Sequence, residues 1–237
     1  MMNNLERWES FQEHVSKKVP TISSTVYKDT KPLFDLLDDF LNLITFFEQI
    51  DSKMNNTKRI FLMDIKNNLS RAAIYFYLND VYLDSIIFRA MIEEAYRLLI
   101  IYNYPEKEEQ TVYRYSRGDM SKKFENTLSD SFSQRDQILS HRDDVNSLYG
   151  EYSSALHGRG TDESNRLFIV KNIGEEHSVN KLIDDYRTLL VFLSGALSIK
   201  LKGTTIDTSN IIFSKKISND FLFVLDTFGD FHLVDGG

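Results

Sequence analysis

VYLDSIIFRAMIEEAYRLLIIYNYP, residues 81–105, decides the fold. On a helical period Val81, Leu83, Ile86, Ile87, Phe88, Met91, Ile92, Leu98, Leu99 and Ile100 leave no wide polar face. Pro105 closes the run, because the residue before a proline is driven out of the helical region. A helix that is apolar nearly all round belongs in the middle of a bundle. The spacing therefore predicts a central helix over about 80–102, with other helices packed around it.

Those other helices can be read on either side. From about 134 to 157 one register carries Ile138, Val145, Leu148, Tyr149, Tyr152 and Leu156 on a single stripe, and Gly158 is placed as the C-terminal stop. These two stripes are the longest in the chain, so the two helices are expected to pack on each other at the bundle centre. A helix over about 58–78 precedes the central one. Before it, a helix over about 31–50 has Pro32 just inside its start, where a missing N–H costs nothing. Residues 5–18 place Leu5, Trp8, Phe11 and Val15 at three- and four-residue steps, the pattern of a docking helix. A last long helix over about 178–201 runs through Leu189, Leu190, Phe192, Leu193 and Leu197.

The remaining stretches are irregular. Residues 103–131 read as a polar connection with one short helix around Lys122 to Leu128, GRGTDESN as a loop, and RLFIVKNI as a short extended piece. Beyond Gly203, SNIIFSKKI and FLFVLDTFGDFHLVD are rich in β-branched and aromatic residues, which predicts a small hairpin. The expected fold class is mainly α, a multi-helix bundle with a small C-terminal β-hairpin. Its organisation reads as N-terminal docking helices over 1–57, a bundle core over 58–202 and a hairpin appendage over 203–237.

Composition agrees with one buried core: 237 residues at 42% hydrophobic and 13% aromatic content suffice for it, and three prolines with ten glycines favour helix. The absence of cysteine excludes disulfides and thiolate metal sites, and fits a reducing compartment. MMNNLERWESFQEHVSKK lacks the apolar centre of a signal peptide, and no run of about 18 apolar residues occurs. A cytoplasmic protein without a membrane span is expected. The formal charge of −7 argues against a broad electrostatic grip on nucleic acid, though not against a local basic site. No H-E-x-x-H, P-loop or dinucleotide fingerprint appears, so neither metal nor cofactor is expected. His14, His177 and His232 lie in separate segments and receive no role.

Three groups of residues could carry chemistry. On the central helix Ser85, Arg89, Glu93 and Arg97 are spaced by four, along one side. Arg89 and Glu93 form either an ordinary ion pair or part of a polar seam that builds a site. Near the end of the 134–157 helix, Ser153 and His157 are one turn apart, with Asn146 and Gly150 on the same side. The helix dipole favours a cationic histidine there, which suits a general acid and a plain cap equally. Ser153 is not a hydrolase nucleophile, because no strand precedes it and G-x-S-x-G is missing. The third group is Arg135-Asp136 followed by His141.

The R-x-x-x-E helix (Arg89, Glu93), together with the Y-S-x-x-x-H-G helix end (Tyr152, Ser153, His157, Gly158), resembles the HEPN superfamily over about residues 58–200. The resemblance implies a four- to five-helix bundle, a homodimer with its site across a two-fold axis, and a place in prokaryotic antiphage or toxin–antitoxin systems. Active members are metal-independent ribonucleases that use Arg-x(4–6)-His with a polar residue after the arginine. Laid on this chain, His157 and Gly158 match, Ser153 takes the polar place, and Tyr152 stands where the motif has arginine. Arg89 would then supply the missing charge. The alternative match is Arg135, Asp136 and His141. In either case a histidine would move the 2′-hydroxyl or 5′-oxygen proton, and an arginine would stabilise the phosphorane. The resemblance leaves open an RNA-cleaving enzyme, an inactive sensor, scaffold or antitoxin-like protein-binding subunit, and a structural subunit of a larger complex. RNA, a protein partner and a second copy are its implied partners.

Overall fold

The computed structural model describes residues 4–18, 31–50, 56–78, 81–103, 117–126, 128, 135–156, 179–198, 205–207 and 232–234. Within them the chain forms helices α1 (Asn4–Lys18), α2 (Lys31–Ile50), α3 (Asn56–Leu78), α4 (Val81–Asn103), α5 (Arg117–Glu125), α6 (Arg135–Leu156) and α7 (Val179–Ser198). The fold is mainly α, as the apolar periods require.

The short helix differs from the sequence reading. It occupies Arg117–Glu125 rather than the neighbourhood of Lys122 to Leu128. Asp119 in its first turn and Lys122 and Lys123 in its last complement the helix dipole, while Met120 and Phe124, one turn apart, are buried. Leu128 is buried beyond the helix end, after a turn closed by its N–H donating to the Glu125 carbonyl at 3.0 Å.

Helix α4 is the centre. It packs against α3, α5, α6 and α7, and α2 bridges α3 and α7. Phe88, Met91, Ile92, Ala95, Tyr96, Leu98, Leu99, Ile100 and Ile101 are buried in it. Around them lie Phe40, Leu43, Ile44 and Phe47 of α2, Phe61, Leu62, Ile65 and Leu69 of α3, and Leu189, Phe192 and Leu193 of α7, in one continuous core. The α2 residues therefore share the core of the segment 58–202 rather than forming a separate layer. The enclosure of α4 is incomplete on one side, where Ile86 is exposed. Tyr96 meets Asn146 while Phe88 meets Tyr152, so α4 and α6 run antiparallel. Helix α1 rests on α2 through Trp8 and Phe11, whose rings lie 5.1 and 5.2 Å from that of Phe34.

Strands β1 (Thr205–Asp207) and β2 (His232–Val234) pair in parallel, Thr205 opposite His232. Parallel strands need a crossover, so these two are not the arms of one tight turn. SNIIFSKKI, most of FLFVLDTFGDFHLVD, GRGTDESN and RLFIVKNI lie outside the described residues. Among the described residues no helix is long and apolar enough to cross a membrane.

Candidate functional site

The polar stripe of α4 faces α6, and Tyr149 closes it. The Tyr149 hydroxyl accepts from Arg89 Nη2 at 3.0 Å and donates to Glu93 Oε1 at 2.8 Å. The Arg89 guanidinium also lies 5.0 Å from the centre of the Tyr149 ring. Arg89 and Glu93 are 3.8 Å apart, so their pairing is mediated as much by Tyr149 as direct. One turn on, Arg97 donates to Glu93 Oε2 at 3.3 Å and to Glu94 Oε1 at 2.5 Å. Two guanidiniums thus balance two carboxylates in a half-buried row.

The balance is uneven at its end. Burial raises the Glu94 carboxyl above its ordinary value; Arg97 opposes this, while Asp64 and Glu93 add to it. Glu94 Oε2 and Arg89 Nε are buried with no hydrogen-bond partner among the described residues. Below the row, the Tyr96 hydroxyl donates to Asn146 Oδ1 at 3.0 Å, and Asn146 Nδ2 donates to Ser121 Oγ at 3.1 Å, tying α4, α6 and α5 together.

Toward the C-terminal end of α6 a second polar group begins. Tyr152 is buried against Phe88, ring centres 4.6 Å apart, and its hydroxyl donates to Asp185 Oδ2 at 2.6 Å. Lys181 reaches the same oxygen at 2.8 Å and Glu151 at 2.9 Å, and sits 5.4 Å from the Tyr152 ring centre. Burial, with the Asp185 hydrogen bond and charge, pushes the Tyr152 hydroxyl far above its ordinary value. Tyr186 is raised likewise, by burial and by the buried carboxylates Asp84 and Asp185. Burial works against the Lys181 charge, but its bonds to Asp185 and Glu151 outweigh this and hold its pKa above normal. A hydrogen bond to a charged acceptor contributes about 1.5–3 kcal/mol, so Tyr152 fixes the α6–α7 contact.

The expected site residues divide accordingly. Arg89 and Glu93 come together, joined by Tyr149. Ser153 follows Tyr149 by one turn, and its Oγ is buried with no hydrogen-bond partner among the described residues. His157 and Gly158 lie outside the described residues. Arg135 and His141 stand three residues either side of the buried Ile138, so they flank its stripe from opposite edges, separated by about 9 Å of helix rise. Arg135 lies 3.9 Å from Glu125 of α5 and 3.8 Å from Asp136, whereas His141 lies 3.8 Å from Asp144. One copy of the chain does not bring that arginine and histidine together.

Tyr149, Lys181 and Asp185 were missed as polar participants. The i,i+4 spacing of Lys181 and Asp185 was a usable signal; Tyr149 read as one more member of an apolar stripe. Among the described residues no group of three or more histidine, cysteine or acidic side chains could hold a metal ion. Compared with protein-family models, with curated proteins and with solved structures, the chain matches none of them.

Proposed function

We propose that the chain is a HEPN-like helical bundle that serves a prokaryotic defence or toxin-type system as a non-catalytic protein-binding subunit: a sensor, scaffold or antitoxin-like partner. The family comes from the resemblance of Arg89, Glu93, Tyr152, Ser153, His157 and Gly158 to the HEPN pattern. A cytoplasmic location and a homodimer go with it. One observation carries the choice against catalysis. Tyr152, in the place of the motif arginine, is committed to Asp185, and Arg89, the cation that would replace it, already faces Glu93 and Tyr149. An incoming phosphate would have to compete with Glu93 for that charge.

The ribonuclease reading draws on a different observation, the buried Ser153 hydroxyl with no hydrogen-bond partner among the described residues, four positions before His157 in the sequence. Incubating a mixed RNA pool with the protein in EDTA separates the two, since a metal-independent site survives chelation. The expected result is no cleavage above the buffer control, together with a protein partner that co-purifies from the native host. Chelator-resistant cleavage that is lost in His157→Ala and Arg89→Ala at unchanged thermal stability would overturn the binding reading in favour of the enzyme. Loss in Arg135→Ala and His141→Ala instead would move the site to that pair.

A further inference from the structure

Helix α3 turns an apolar stripe outward. Among the described residues the exposed large apolar side chains are Ile60, Met63, Ile74 and Ile86, and three of these four lie on this one helix. Ile60, Met63 and Ile74 are 44, 55 and 49% exposed, which sets them apart from Phe61, Leu62, Ile65 and Leu69 on the buried side of the same helix. With the exposed Asn67 and Ser70 they follow a strict three–four alternation: Ile60, Met63, Asn67, Ser70, Ile74. That is the a–d–a–d–a spacing of a helix seam, with an asparagine at a central a position, where a polar residue fixes register.

We propose that this stripe is an isologous interface between two copies of the chain, with the two α3 helices antiparallel across a two-fold axis. The pattern is complementary to itself. When Asn67 is set against Ser70 of the second copy, as a-to-d packing in an antiparallel pair requires, Met63 falls opposite Ile74 and Asp64 comes beside Arg71. Symmetry makes each pairing twice. Arg71 is exposed, and within its own chain it donates to Asn68 at 3.3 Å, so its charge is available to the Asp64 carboxylate of the second copy. A parallel pairing would face e positions against g positions, setting Lys66 beside Arg71, which repel, as often as Arg59 beside Asp64, so it would gain no net attraction. The interface lies on α3 rather than on the end of α6, where a HEPN-like dimer would form, and does not depend on the HEPN-like reading.

Sedimentation equilibrium of the full chain at tens of micromolar, with circular dichroism as the control for folding, tests the interface. The wild type is expected to be dimeric or larger, and Met63→Glu combined with Ile74→Glu to halve its mass while remaining folded. Asp64→Arg should weaken the dimer at least several-fold, and adding Arg71→Asp should restore it. The absence of native cysteine allows a direct test of orientation. A mixture of Met63→Cys and Ile74→Cys proteins should cross-link between copies, whereas Met63→Cys alone should not, its two copies lying about 16 Å apart along the helix axis. A monomeric wild type, a dimer indifferent to the glutamate changes, or self-cross-linking by Met63→Cys would each overturn the proposal. These readouts are independent of RNA cleavage, so the interface and the functional reading fail separately.

Discussion

Glu94 carries its negative charge at a cost, because one of its oxygens is buried without a partner among the described residues while the other takes Arg97. Its raised carboxyl means that the folded state binds the proton more tightly than the unfolded state does. The ionised form therefore subtracts stability at neutral pH, and that loss is recovered as pH falls from above the raised value toward the ordinary carboxylate value. Glu94→Gln removes the titration. Urea denaturation at pH 7 and pH 5 is expected to show the wild type gaining stability relative to the variant at the lower pH. A pH-independent difference between the two would show that Arg97 compensates the burial in full.

At the scale of the element, α6 holds a glycine that its packing does not use. Gly150 is exposed mid-helix, and an added Cβ would meet nothing within 4 Å. Its carbonyl accepts the Ser154 hydroxyl at 3.0 Å, a bond that any residue at 150 can keep. Gly150→Ala should stabilise the helix by about 0.5–1 kcal/mol, chiefly by restricting the unfolded chain. For a domain of this size that is a rise of roughly 1–4 °C in Tm, measurable by calorimetry. A fall in Tm would mean that another part of the chain or a second copy closes on this face.

For the whole molecule, the decisive fact is that α2 sits in the same core as α3, α4 and α7. Leu36, Leu37, Phe40, Leu43, Ile44 and Phe47 are buried there. A fragment beginning at residue 58 would leave the facing sides of α3 and α7 in water, each fully uncovered large apolar side chain costing about 1.5–3 kcal/mol. Such a fragment is expected to lose its cooperative thermal transition and to bind an apolar dye. A fragment 58–202 that unfolds cooperatively near the wild-type Tm would show the N-terminal helices to be a dispensable layer.

The helices were legible because their cause is local. The apolar period of residues 81–101 and Pro105 delimit α4 almost to the residue, and Pro32 marks the start of α2. The pairing of Arg89 with Glu93 was legible for the same reason, being a matter of one helical turn. What the sequence left open depended on contacts between distant residues. Tyr149 and Tyr152 look alike on the α6 stripe, yet one bridges Arg89 and Glu93 while the other is spent on Asp185. Only packing decides which helix each hydroxyl meets. Likewise, the outward stripe of α3 has the same spacing as a buried one, and it is the placement of α2 and α4 on its other side that turns Ile60, Met63 and Ile74 toward solvent. Period is written into a segment by its own backbone geometry, whereas the partner that covers a face is chosen by the whole chain.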